Sequence, residues 1–239
     1  MQAVSYSYPP PAAMDHAPQQ QQPVRPRVAL DVVQHPVRAR MCGFGDKDRR
    51  QISPPPCVRL RMYDPMSGLE LRDVANLDVS TFGLTVELWS ADETTNMSLV
   101  LPSGQIHNPA DEVDASHASI VPTKNLIGSV VATAFKLHDL NDEQGIWFIM
   151  QDLSVRTEGE YKLKFSFFNL SDAFTSNGTA PILCSAFSQP FRSYSPKKFP
   201  GVIDSTELSK CFASQGIRIP IRRDNNKNSR KRSVSAMNQ

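Results

Sequence analysis

The segment Tyr161-Lys-Leu-Lys-Phe-Ser-Phe-Phe168 constrains the fold of this chain most. Tyr161, Leu163, Phe165 and Phe167 alternate with Lys162, Lys164 and Ser166. A period of two separates these sets onto opposite faces of an extended strand, whereas a helix would scatter the aromatic rings around its circumference. Val58–Tyr63 repeats the pattern, with Val58, Leu60 and Met62 on one face and Arg59 and Arg61 on the other. Phe82–Trp89 is rich in strand-forming residues, Ser98–Leu101 is a short apolar run, and Ile182–Phe187 and Phe191–Tyr194 are further strands. Ile127–Phe135 and Gly145–Met150 read as buried strands. Turn chemistry separates them at Asp64–Gly68, Asn141–Gly145, Arg156–Gly159 and Ser176–Gly178. Many short strands with turns between them predict an all-β sandwich, not a parallel α/β sheet.

One helix is expected near the end. Asp204 and Glu207 have capping-box spacing, Leu208, Cys211 and Phe212 form one apolar face, Gly216 is placed as the stop, and Pro220 lies beyond. Residues 1–23 are rich in Pro and Gln and read as a disordered tail. Residues 224–239 are polar and basic and read the same way. That leaves 24–223 as one folded domain. No apolar run approaches the ~18 residues of a membrane helix. Met1–Gln22 lacks the charged start and apolar run of an export signal. Cys42, Cys57, Cys184 and Cys211 contain no Cys-x-x-Cys pair, so free and mostly buried thiols are expected rather than zinc ligands. Without export, the sequons at Asn96, Asn169 and Asn177 carry no meaning.

Charge is unevenly placed. The net charge of +2 divides into −1 for residues 1–24, +4 for 25–50, −7 for 51–214 and +6 for 215–239. Two basic ends around an acidic middle point to a polyanionic partner. Enzyme signatures are absent: no Gly-x-Gly-x-x-Gly, phosphate-binding loop, His-Glu-x-x-His or Gly-x-Ser-x-Gly occurs. His107 and His117 flank Asp111, Glu112 and Asp114, a set that reads as a solvated polar loop rather than a cation site. Neither an enzyme, a cofactor nor a small-molecule substrate is expected.

Arg38–Arg50 packs five cations into 13 residues, with Gly43 and Gly45 among them. Arg38 and Arg40 have strand spacing and should share a face. Arginine suits bidentate contacts to guanine edges and phosphates. The glycines let backbone approach a phosphate. The alternative is a solvated loop whose arginines pair with Asp46 and Asp48, and charge alone does not choose between these readings. Lys197 and Lys198 form a smaller basic site in a Pro-bounded loop. Arg222 and Arg223, then Arg230, Lys231 and Arg232, resemble a bipartite nuclear import signal.

Arg38–Arg50 (RARMCGFGDKDRR), Ser53–Met62 (SPPPCVRLRM), Leu153–Leu170 (LSVRTEGEYKLKFSFFNL) and Ser195–Arg222 together resemble the velvet family of fungal regulators, in order and over about Arg27 to Arg223. The compact form is similar to the spore-viability branch, because only the short acidic stretch 107–119 stands where a related branch carries a long insertion. The resemblance implies a β-sandwich similar to the N-terminal domain of Rel-homology transcription factors. It also implies binding to double-stranded DNA, homo- or heterodimers with other velvet proteins, a nuclear location with shuttling to the cytoplasm, and control of development, spore maturation and secondary metabolism. Rel-homology proteins insert a loop of the form RxRYxCEG into the major groove. Arg38–Gly43 is similar, but Met41 replaces the tyrosine, Cys42 stands one place early, and no glutamate follows. The implied DNA contacts are Arg38, Arg40 and Cys42 in this loop. Lys47, Arg49 and Arg50 hold phosphates, and Lys197 and Lys198 add a second loop.

Overall fold

A computed structural model describes residues 26–45, 49–101, 122–174 and 177–222. Two sheets pack face to face. The first has the order β1 (Arg27–Gln34), β3 (Cys57–Tyr63), β10 (Gln144–Ile149), β9 (Phe135–His138), all antiparallel. The second has the order β2 (Arg38–Arg40), β14 (Phe191–Tyr194), β12 (Gly159–Asn169), β4 (Phe82–Ser90), β8 (Val131–Thr133). β13 (Ile182–Phe187) also pairs with β12. Two small ladders complete the set: β5 (Leu99–Val100) with β6 (Thr123–Lys124), and β7 (Leu126–Gly128) with β11 (Leu153–Val155). The architecture is the expected all-β sandwich with a short helix near the end.

The alternation in β12 organises the core. Leu163, Phe165 and Phe167 are fully buried, and Phe167 meets Phe148 of the opposite sheet at 6.0 Å between ring centroids. Val58, Leu60 and Met62 supply the facing layer. Along one edge β12 is paired with β4, and along the other with β14 and then β13. Ser188 fills the gap between those two strands. Its Oγ accepts from the Leu163 N–H at 3.0 Å, and its own N–H donates to the Leu163 carbonyl at 2.8 Å.

β10 is buried on both faces, which explains its unbroken apolar run. Ile146 and Phe148 enter the inter-sheet core. Trp147 and Ile149 point outward under α1 (Glu207–Ser214), where Trp147 meets Phe212 at 4.9 Å. The helix cap differs from the expectation. Thr206, not Asp204, is the N-cap, accepting from the Ser209 N–H at 3.1 Å. The Thr206 hydroxyl also donates to Gln34 Oε1 at 2.6 Å, so a contact with β1 selects the cap. At the other end Gly216 takes φ +95°, as expected of a stop. Its N–H reaches the Ala213 carbonyl, and the Ile217 N–H reaches that of Phe212.

Ile127–Phe135 is not one buried strand. It divides into β7, β8 and the start of β9, which belong to three different ladders. Gly128 makes the break at φ +113°, where a Cβ would collide with the Asp152 carbonyl and the Arg49 guanidinium. Val131 and Phe135 are exposed in consequence. The thiols are free, as expected, but only Cys57 is buried; Cys42, Cys184 and Cys211 are half-buried. Burial pushes the Cys57 thiol up and that of Cys184 up to about 11. No helix among the described residues is long and apolar enough to cross a membrane.

Candidate nucleic-acid interface

β2 is a three-residue edge strand. Ala39 is fully buried between half-exposed Arg38 and Arg40, so the two arginines share the outer face. β14 lies beside it in parallel, with Arg38 opposite Arg192, Ala39 opposite Ser193 and Arg40 opposite Tyr194. Paired positions project to the same side of a sheet. Arg192 and Tyr194 therefore join the arginine row, while Ala39 and Ser193, both 0% exposed, face inward. The Arg192 guanidinium lies 5.3 Å from the Tyr194 ring centroid and 3.8 Å from Glu160 Oε1. Arg38 Nη1 donates to the Gly201 carbonyl at 3.5 Å.

Beyond β2 the backbone is pinned. The Met41 N–H donates to Tyr194, Cys42 to Val155 and Gly43 to Arg156. The Cys42 thiol also donates to the Val155 carbonyl at 3.3 Å, which ties the loop to β11. Gly43 takes φ +65°, in the left-handed region. Arg156 is the main brace. Its Nη1 donates to the Gly43 carbonyl at 2.9 Å, its Nε to the Lys124 carbonyl at 2.9 Å, and its guanidinium lies 5.9 Å from the Phe44 ring centroid. Buried Asn125 secures the brace from beneath: its carbonyl accepts from the Arg156 N–H, and its Oδ1 accepts from the backbone and hydroxyl of Thr157.

The remaining predicted cations fall in different settings. Arg49 is engaged by Asp152 at 2.6 Å and by Ser154 Oγ at 3.3 Å, not placed as an open cation. Arg50 is exposed. Lys197 and Lys198 are exposed in a turn directly after β14, and Lys198 Nζ lies 3.7 Å from Glu158 Oε1. That turn starts one residue past Tyr194, the register partner of Arg40. Arg222 is exposed, its N–H donating to Ser205 Oγ at 2.9 Å. Lys47, Arg223, Arg230, Lys231 and Arg232 lie outside the described residues, as do Asp46, Asp48, His107 and His117.

Arg156, Arg192 and Tyr194 were not among the predicted contacts. Arg192 had a readable signal, since it alternates with Phe191 and Ser193 on an edge strand. Arg156 had none, because its partner Gly43 lies 113 residues away.

A groove on the outer face of the first sheet brings His35, Asp31, Asp139 and Glu143 beside Arg59, Arg61 and Trp147. Its carboxylates are held by arginines, Asp31 by Arg61 at 2.8 Å and Asp139 by Arg59 at 3.5 Å. Among the described residues no three His, Cys, Asp or Glu side chains converge as a metal site.

The Velvet factor family model matches residues 28–120 and 102–226. The chain is 39% identical to a velvet complex subunit of Aspergillus flavus, over 85% of this chain and 80% of that one. It is 36% identical to the velvet complex subunit RYP3 of Ajellomyces capsulatus and 36% identical to a velvet complex subunit of Emericella nidulans, each over 82% of this chain and 78% of the other. A family match running from β1 past α1, and these identities across the whole sandwich, leave one conclusion: the chain belongs to the velvet family.

Proposed function

We propose that this protein is a DNA-binding transcriptional regulator of fungal development, acting as a homodimer or with another velvet protein. The reading rests above all on one observation. Arg38 and Arg40 stand on the outer face of an edge strand, beside Arg192 and the Lys197–Lys198 turn, with the following loop braced by Arg156. Edge arginines on a rigid support can reach base edges, and flanking lysines supply phosphate contacts that carry no sequence information. Arg222 and Arg223, with Arg230, Lys231 and Arg232, are proposed as the nuclear import signal. Control of spore maturation, spore viability and secondary metabolism belongs to the same proposal.

Partnership draws on the relatives, whose names describe subunits of a velvet complex. The branch assignment draws on size. The alignment to the Aspergillus flavus relative spans 291 positions, more than the 239 residues of this chain, so that relative carries extra residues within the matched region. Compactness supports the spore-viability branch.

The test is selection of bound duplexes from a random pool, with and without a velvet partner. Enrichment of one motif by this chain alone supports direct readout. Enrichment only in the partner's presence favours a second reading, in which this chain is an interaction subunit that meets DNA mainly through its partner. Asp152, Glu158 and Glu160, interleaved with the cations, give that reading its physical basis.

A further inference from the structure

Ser195-Pro196-Lys197-Lys198 follows β14 directly. It forms a reverse turn closed by the Lys198 N–H donating to the Ser195 carbonyl at 3.1 Å. Serine at the first position and proline at the second suit such a turn. Ser195 is half-exposed, and Pro196, Lys197 and Lys198 are exposed. The turn is held at its base on both sides. The Tyr194 carbonyl accepts from the Met41 N–H at 2.8 Å, Tyr194 and Phe199 meet at 6.4 Å, and the Gly201 carbonyl accepts from Arg38. Ser195 is therefore one residue beyond the register partner of Arg40, and its own turn carries two lysines.

We propose that Ser195 is a phosphorylation site for a proline-directed protein kinase, and that the phosphate switches off the basic surface around Arg38 and Arg40. The inference rests on the DNA-binding reading above. A proline directly after the hydroxyl, with lysines at the next two positions, is the chemistry such a kinase recognises. The Ser195 hydroxyl attacks the γ-phosphorus of the kinase's nucleoside triphosphate. An oxygen–phosphorus bond forms as the bond to the bridging β,γ-oxygen breaks. Nucleoside diphosphate leaves, and the hydroxyl proton passes through the kinase's base to solvent.

The chain contains a second Ser-Pro pair, at Ser53-Pro54, which serves as an internal contrast. The Ser53 N–H donates to the Arg38 carbonyl, its carbonyl accepts from Val37 and Arg38, its Oγ accepts from the Ile203 N–H, and Pro54 is buried. Modifying Ser53 requires dismantling that joint. Ser195 requires only that an exposed turn open.

A phosphoserine brings about −1.5 to −2 charges and three strong acceptor oxygens. Lys198 faces Glu158 at 3.7 Å, and a phosphate on its own turn is the stronger acceptor. The modification draws the turn lysines inward and repels a polyanion from the adjacent arginines. With fewer cations left to meet DNA phosphates, binding also depends less steeply on salt.

The test treats the full chain with a proline-directed kinase and ATP, maps the product by mass spectrometry, and titrates both forms with duplex DNA across a salt series. Expected are modification at Ser195 and not Ser53, its loss in Ser195→Ala, and DNA binding at least tenfold weaker with a shallower salt slope. No modification of Ser195 in the folded chain overturns the site. Full modification with unchanged affinity overturns the switch alone. An unmodified chain that binds no DNA, with or without a velvet partner, overturns the functional reading and the switch with it, while the mass-spectrometric mapping still decides the site.

Discussion

Two five-residue stretches of this chain are nearly identical and stand in different surroundings. Val37-Arg38-Ala39-Arg40-Met41 forms the edge strand β2, and Val58-Arg59-Leu60-Arg61-Met62 lies within β3. Each turns its middle residue inward, Ala39 at 0% exposure and Leu60 at 3%. The outward arginines differ in company. Arg59 stacks over Trp147 and pairs with Asp139, their side chains 14% and 12% exposed. Arg61 bridges Asp31 and Glu70 at 2.8 and 3.0 Å, and these carboxylates hold its guanidinium above its ordinary range. Arg38 instead meets the Gly201 carbonyl and stands opposite Arg192 in register. Neighbouring strands, not the Arg-x-Arg pattern, decide which groups such a pair meets. β3 has β1 and β10 beside it to supply carboxylates and an indole ring; β2 has β14, which supplies more positive charge.

The contrast can be broken by substitution, starting with the largest effect. Leu60→Ala should cost about 3 kcal/mol of stability, because it opens a cavity between the sheets. Urea denaturation measures this, and a loss under about 1 kcal/mol contradicts the packing described. Arg59→Ala should cost about 2 kcal/mol, since it leaves Asp139 mostly buried beside an uncovered indole. Arg156→Ala should cost about 1 kcal/mol and expose the Gly43 carbonyl. Hydrogen exchange of the Met41, Cys42 and Gly43 amides should accelerate in that variant, and unchanged protection there argues against the brace. Arg61→Ala should cost less still, about 0.5–1 kcal/mol, because its partners are partly solvated.

The smallest expected effect concerns pH. His35 lies in the link between β1 and β2, and its Nδ1 accepts from the Gln189 N–H at 3.1 Å. Burial lowers its affinity for a proton, opposed in part by Asp31. The unfolded chain then takes up the proton more readily than the folded one. Stability is fully present above the ordinary histidine value of about 6.5 and declines as pH falls through the folded value. Subtracting a His35→Gln variant from the parent at pH 7.5 and 5.5 should isolate a small acid loss. A parent that gains stability over the variant at the lower pH reverses the sign and refutes the account.

The strands with clear alternation were legible because their pattern is local. β12 and β3 fall where Tyr161–Phe168 and Val58–Tyr63 predict them, with the expected faces buried. β1 was missed, since Val28-Ala29-Leu30 and Val32-Val33 interrupt the alternation. The helix was found but its cap was not. Asp204 satisfies the local rule, yet Thr206 is chosen by Gln34, 172 residues away. The interface divides in the same manner. Arg38 and Arg40 were readable from spacing, whereas the engagement of Arg49 by Asp152, the Arg156 brace and the division of Ile127–Phe135 at Gly128 depend on contacts no local pattern encodes.

The most direct test of the central claim compares two double variants, Arg38→Ala with Arg40→Ala and Arg59→Ala with Arg61→Ala, each measured for thermal stability and for duplex DNA affinity across a salt series. The edge pair should lose at least tenfold in affinity, about 1.4 kcal/mol or more, with a melting temperature close to that of the parent. The interior pair should melt at a clearly lower temperature and, while folded, bind as the parent does. An edge variant that keeps its affinity and salt slope would contradict the account.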